Sequence, residues 1–463
     1  MSLTRKRPED VGIHPSSILS MMDACDESID HLHGFMIAKG GAIVAECSYA
    51  PCSNQVAHNG LSLGKSMTAL AVGMLIDEGK LRFDTEVVPM FKDQLPEAYD
   101  PRLEHLTVGN LLNMQASSAI VSTPFLSQPK GSWIAHYFSY KPEADPGTVF
   151  HYDTGGYYLL SCVVTKVAGE NVYSYLNRKL FSPLGIQNGY FQEDGVGNNV
   201  GGWGFYFNLE DELKIAQCLT DDGVWEGKQL IPKWFVDSLK TPSVSTREFP
   251  HLGWTYGYSN GFWKGKESIF LAFGAFGQLL ICDPQRHITV ATSGGCSHED
   301  CKQLLEIIQN CVILTANSGA IPRDEGAFAK LDARLKNAQL PLPPGCLQAG
   351  GEVCGTFVPQ EPCQIRELCL LDAGNGKLQI CLDSTSGAQS LIASCQAWTV
   401  DSRGTGCAYG WDGHRLSIYI QDPALTAQTR MFLEFHGGDC EFSQTSSPSL
   451  TAISGKPNKL LRK

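Results

Sequence analysis

A helix that must be buried starts directly behind a serine and a lysine, and this pairing limits the folds open to the chain more than any other stretch. It opens in Asn59-Gly60-Leu61-Ser62-Leu63-Gly64-Lys65-Ser66-Met67-Thr68. Met67, Leu70, Ala71, Met74 and Leu75 then repeat with the 3.6-residue period of a helix packed on one face, and Gly79 is its expected stop. Ser62 and Lys65 stand one turn apart on a shared face, where hydroxyl and amine can meet. A desolvated lysine loses its proton readily and can activate a serine, so the spacing predicts a nucleophile with its base in the same turn. Two plainer readings compete. One makes Ser62 an N-cap, with Lys65 solvated in the first turn. Gly64-Lys65-Ser66 has the form of the tail of a phosphate-binding loop, but the glycine that pattern needs five residues before Gly64 is Asn59 here, and Gln55-Val56-Ala57-His58 makes a poor buried strand.

The whole-chain numbers narrow what such a serine serves. At 463 residues there is room for a large core and two or three domains. A net charge of -12 lacks the basic stripe of a nucleic-acid binder. The first ten residues are basic with no apolar run behind them, and no stretch nears the eighteen apolar residues of a membrane span, so the expectation is a soluble, cytoplasmic protein. Seventeen cysteines, odd in number and without a Cys-x-x-Cys pair, are expected mostly as buried thiols. Cys296, His298 and Cys301 come nearest to a metal cluster but lack the usual spacing.

In chain order, Ser16 or Ser17 is expected to cap a first helix through Ile18, Leu19, Met21 and Met22. Phe35-Met36-Ile37-Ala38 and Ala42-Ile43-Val44-Ala45 flank Lys39-Gly40-Gly41 as a hairpin, which brings Ser62 to a sheet edge. From residue 80 to about 115 helical signals dominate, a lobe covering the serine, with Leu106-Thr107-Val108-Gly109-Asn110-Leu111-Leu112 opening one helix. The second informative stretch runs from Pro146 to Leu160, where a Pro-Gly turn leads to Tyr152 and Thr154 ahead of a helix carrying Leu159, Leu160, Val163 and Val164.

Ser62-x-x-Lys65 at the head of a buried helix, followed about ninety residues later by Tyr152-x-Thr154 ahead of another, resembles the serine β-lactamase and penicillin-binding-protein superfamily. More narrowly it resembles the branch of class C β-lactamases, D-alanyl-D-alanine carboxypeptidases and family VIII esterases. Residues 66–81 and 106–114 are similar to helices of that branch, residues 223–229 more loosely, and the resemblance extends over about 8–314. It implies a fold of antiparallel sheet flanked by helices plus an all-helical lobe, and a Ser-Lys-Tyr acyl-enzyme mechanism with Ser62, Lys65 and Tyr152 as the catalytic residues. No metal or organic cofactor is required by it.

A third stretch, Ala272-Phe273-Gly274-Ala275-Phe276-Gly277-Gln278, precedes two apolar runs around an Asp283-Pro284 turn, which read as an antiparallel pair. The resemblance implies a strand here that borders the pocket and opens with Lys-Thr-Gly or His-x-Gly, its backbone N–H near Ala275 joining that of Ser62 in an oxyanion hole. If Gly274 is the motif's glycine, Ala272 stands where the lysine or histidine lies. The cation that grips a substrate carboxylate is then missing, which favours an uncharged ester or amide over penicillin or a D-alanyl peptide. The substrate-binding residues implied are Thr154, Ala272, Phe273, Ala275, Gly277 and Gln278, with Trp254 and Tyr256 from an aromatic group that also holds Trp203, Phe205, Tyr206, Tyr258, Phe262 and Trp263. Most of those rings are expected in the core. With a lysine beside the serine, neither His151 nor His251 is needed as a base.

Beyond Arg323 the composition changes. Leu340-Pro341-Leu342-Pro343-Pro344-Gly345 marks a linker, and short period-two runs such as Lys377-Leu378-Gln379-Ile380-Cys381-Leu382 and Arg415-Leu416-Ser417-Ile418-Tyr419-Ile420 predict an antiparallel β barrel or sandwich. The expected organisation is α+β, with a hydrolase domain at 1–325, a linker at 326–346 and a β domain at 347–463. The expected partner is a small molecule or short peptide, with no nucleic acid and no membrane span. A homo-oligomer is compatible with the sequence, as is a scaffold protein that keeps the pocket without turnover.

Overall fold

The main sheet grows outward from the Gly40-Gly41 hairpin. The computed structural model describes residues 3–117, 131–246, 256–361, 363–385, 387–437, 439–448 and 458–462. Both turn glycines have positive φ, 57° and 74°, the backbone a two-residue turn between antiparallel strands demands. They join β2 (Leu32–Lys39) to β3 (Ala42–Ser48). With β1 (Thr4–Arg5), β4 (Tyr258–Ser259), β5 (Phe262–Lys264), β6 (Phe270–Gly274), β7 (Gln278–Asp283) and β8 (Ile288–Gly294) they form an eight-stranded sheet in the order β1-β3-β2-β8-β7-β6-β5-β4. Every pairing is antiparallel except β1 with β3. Every residue of β2, β7 and β8 is buried, so both faces of the sheet centre are covered.

Six helices of eleven residues or more stand among the described residues: α1 (Pro15–Ser28), α2 (Leu63–Asp77), α3 (Thr154–Ala168), α4 (Leu209–Thr220), α5 (His298–Ile308) and α6 (Glu325–Lys336). The cap of α1 differs from expectation. His14, not a serine, accepts the Ser16 N–H at 3.2 Å, and Pro15 takes the first helical position, where a missing N–H costs nothing. α2 is buried on all sides from Leu63 to Leu75 rather than on one face, because it lies between the sheet and α3. Gly73 allows this packing: a Cβ there would lie 2.4 Å from the Phe235 ring. Residues 80–115 carry short helical turns, among them Val88–Gln94, Pro101–His105 and Val108–Leu112, the last opened by a Thr107–Asn110 capping box.

The C-terminal part closes into a nine-stranded barrel. Neighbouring strands run antiparallel round the ring until Gly387–Cys395 meets Gly406–Trp411 in a parallel pair at Ser394↔Ala408 and Cys395↔Tyr409. The barrel, rather than a sandwich, removes the sheet edges. Its interior is filled by its own side chains, including Phe357, Leu368, Tyr409, Ile418, Met431 and Leu433. Helix α6 lies within the stretch expected as linker, and its Leu331 is buried in the first core. All seventeen cysteines are free and ten are buried. Among the described residues no helix is long and apolar enough to cross a membrane.

Candidate active site

The loop before α2 is held by its own polar groups. Asn59 Oδ1 accepts the Leu61 N–H at 3.0 Å, and the Gly60 N–H donates to Phe205 O at 2.7 Å. Leu61 takes φ 49°, a left-handed conformation a branched residue adopts only when its surroundings enforce it. Ser62 follows, half-exposed at the helix N-terminus, and its side chain caps no backbone N–H, so the N-cap reading leaves its hydroxyl unexplained.

That hydroxyl accepts from Lys65 Nζ at 2.9 Å. Lys65 is 2% exposed, its amine also donates to Gly202 O at 2.7 Å, and burial pulls its pKa down to about 7, Asp153 pulling weakly the other way. Burial pushes the Tyr152 phenol up to about 12, with the neighbouring Ser62 hydroxyl pulling the other way. Its ring faces Lys65 Nζ at 4.8 Å from the centroid and stacks on Trp263 at 6.2 Å, 13° from parallel. One group is therefore poised to accept a proton near neutral pH while its neighbour keeps one.

Asp153, the residue after Tyr152, is itself anchored. It caps α3 through the Gly156 N–H at 2.9 Å and accepts the Tyr137 hydroxyl at 2.9 Å. Burial pushes its carboxyl up to about 6, against the pull of those donors and of Lys65. α2 is tied to distant loops by Ser66 Oγ donating to Gly261 O at 2.6 Å and Thr68 Oγ1 donating to Gly201 O at 2.8 Å.

On the far side, β6 ends at Gly274 and a tight turn, Ala275–Gly277, follows, with Phe276 at φ 65°. Its ladder to β5 runs only over Phe270 and Leu271, so the Gly274 end projects beyond that neighbour, and the loop before Ser62 packs there. A Cβ on Gly274 would lie 2.3 Å from Gly60 O. Gly274→Ala is therefore expected to push the Ser62 loop aside and to lower kcat/KM by about 100-fold. Steady-state kinetics beside circular dichroism check it: loss of fold rather than of rate would contradict the expectation.

The N–H groups of Ser62 and Ala275 donate no hydrogen bond among the described residues, and both residues are half-exposed. Phe273 is 8% exposed. Ala272 and Gln278 are fully buried and Gly277 is buried; Gln278 Nε2 holds Gly294 O at 2.8 Å and Phe276 O at 3.1 Å. Thr154 is the first residue of α3, buried against Gly202. Tyr256 is 57% exposed, whereas Trp203, Phe205, Tyr258, Phe262 and Trp263 are buried. Trp254 and His251 lie outside the described residues. Sequence reasoning missed Gly202, Asp153 and Trp133, the last stacked on Trp203 at 6.0 Å, 14° from parallel. Gly202 meets Lys65 across 137 residues of chain, a contact that leaves no local spacing to read.

Residues 29–293 match the family model described as Beta-lactamase. A probable fimbrial assembly protein FimD, serogroup H1, of Dichelobacter nodosus is 29% identical over 159 residues, 33% of this chain and 36% of that protein, so the chain spans about a third of that relative's length. Among solved structures, a putative 6-aminohexanoate-dimer hydrolase from Bacillus anthracis is 17% identical with TM-score 0.51, over 73% of this chain and 86% of that one. The octameric penicillin-binding protein homologue from Pyrococcus abyssi is 15% identical with TM-score 0.52, over 96% of this chain and 99% of that one. The likeness to these two is one of fold.

Proposed function

The chain belongs to the beta-lactamase family, and on that footing we propose that it is a serine hydrolase that forms an acyl-enzyme on Ser62 and cleaves a small ester or amide. The observation that carries the reading is the 2.9 Å contact between Ser62 Oγ and a buried Lys65 amine whose pKa falls to about 7. Ser62 Oγ attacks the acyl carbon and its proton passes to neutral Lys65. The N–H groups of Ser62 and Ala275 receive the oxyanion. Tyr152 gives a proton to the departing alkoxide or amine and regains one from Lys65. Water then attacks the acyl-enzyme, one proton returning to Ser62 Oγ, so that ester and water give acid and alcohol.

The uncharged Ala272, where the resemblance places a lysine or histidine, supports a substrate without a carboxylate at that position, and a structural neighbour named as a 6-aminohexanoate-dimer hydrolase supports an amide as one bond cleaved. Two measurements test the proposal. A fluorophosphonate is expected to add mass at Ser62 and none to Ser62→Ala. Among p-nitrophenyl esters, D-amino-acid amides and nitrocefin, short esters are expected to turn over and nitrocefin barely. No adduct with several acylating probes sinks the enzyme reading, and fast nitrocefin cleavage without esterase activity sinks the substrate preference.

A further inference from the structure

The barrel interior holds its own apolar side chains, and one of its turns reaches the loop that carries Ser62. The Asn59 N–H donates to Ala424 O at 3.1 Å. Ser62 follows Asn59 by three positions, about 10 Å at full extension. The other end of the same turn meets Gly295, where a Cβ would lie 2.2 Å from Thr426 O. Gly295 sits between Gly294 and Cys296, and both touch the turn after β6: the Cys296 N–H donates to Phe276 O at 3.1 Å, and a Cβ on Gly294 would lie 2.9 Å from that oxygen. Residues 422–426 thus contact the Ser62 loop directly and, through the Gly294-Gly295-Cys296 stretch, the turn that holds Ala275.

The turn is stiff. Asp422 Oδ1 accepts the Ala424 N–H at 2.9 Å, the Leu425 N–H donates to Asp422 O at 3.1 Å, and Gln421 Nε2 holds Leu425 O at 3.1 Å. On this turn Leu425 is 48% exposed, an apolar side chain left open beside the backbone that meets the Ser62 loop. The barrel is anchored to the first domain at further points: Arg430 hydrogen-bonds with His31, Trp398 Nε1 donates to Leu340 O at 3.3 Å, and Gly406 packs on Pro51.

We propose that residues 422–426 of the barrel form one wall of the acyl site and that Leu425 sets the acyl-chain length accepted, favouring apolar chains over acetyl. This rests on the acyl-enzyme reading above. A leucine packed along a chain of several methylenes removes water from both, a gain that grows with chain length and that acetyl does not collect.

The experiment uses the full chain with p-nitrophenyl acetate, butyrate and octanoate. Leu425→Gly is expected to lower the octanoate-to-acetate ratio of kcat/KM at least fivefold, and Leu425→Trp to shift it further by blocking the longer chain. Gly295→Ala, which displaces Thr426 without touching Ser62, is expected to change the same ratio and to speed hydrogen exchange at the Asn59 amide. Leu371→Gly, an exposed leucine elsewhere on the barrel, serves as the control. Ratios within twofold of the parent in both Leu425 variants, while Ser62 still takes a fluorophosphonate, overturn this inference alone. Failure of the parent protein to be labelled at Ser62 or to cleave any ester overturns the acyl-enzyme reading and this inference with it.

Discussion

Lys65→Met is expected to lower kcat/KM on an activated ester by about 10³-fold and at the same time to make the protein harder to unfold. The loss is what removing a positioned general base costs. The gain follows from the same burial. An amine pulled from 10.5 to about 7 resists protonation inside the protein, and at 1.36 kcal/mol per unit the charged form costs about 5 kcal/mol when both states are protonated. Methionine matches the stem and removes that cost. It also leaves Gly202 O without the Lys65 donor, which takes back about 1 to 3 kcal/mol, so a net gain of roughly 2 to 4 kcal/mol is expected at pH 6. Urea unfolding of both proteins at pH 6, beside their esterase rates, measures the two effects. A variant less stable than the parent there, or one keeping a tenth of its activity, contradicts the assignment.

The pH dependence has a definite sign. Between about 7 and 10.5 the unfolded chain holds a proton on Lys65 that the folded protein has released, so stability rises with pH across that window, and below about 7 the whole penalty is present. The neutral amine that catalysis needs appears over the same rise, so kcat/KM is expected to climb through pH 7. Both slopes should vanish in Lys65→Met. Asp153 adds an opposite slope lower down, between 3.8 and about 6, where the folded protein keeps a proton the unfolded chain has lost.

What could be read before folding was whatever one short stretch carries whole. The Gly40-Gly41 turn, the Ser62-x-x-Lys65 tetrad and a helix following Tyr152 each depend on neighbours within a few residues and are found in the structure, the helix taking in Thr154 as its first residue rather than starting after it. The all-round burial of α2 was not legible, because it depends on the sheet, α3 and Phe235 closing over it from distant parts of the chain. Gly202 as a lysine partner and Ala424 as a partner of Asn59 were invisible for the same reason: a backbone carbonyl has no residue type. Ala272 shows the converse. Its place in the motif was readable, but its full burial follows from the β6 to β7 register, Ala272 opposite Leu280.

Tyr152→Phe separates the roles of the phenol and the ring. The ring's stack on Trp263 and its face toward Lys65 survive the change, so the fold and the lysine's surroundings are expected to hold. Only the proton is lost. p-Nitrophenolate leaves as a stable anion and asks little of an acid, whereas an amide nitrogen cannot leave until it is protonated. The expected result is therefore unequal: kcat falls about 10-fold on the p-nitrophenyl ester and about 10³-fold on a D-amino-acid amide, with KM little changed on either. A phenol held at about 12 suits that work, since between about 7 and 12 it stays protonated while Lys65 is neutral. Equal losses on both substrates would move Tyr152 from leaving-group acid to orienting Ser62 Oγ, the neighbour that already pulls on its pKa.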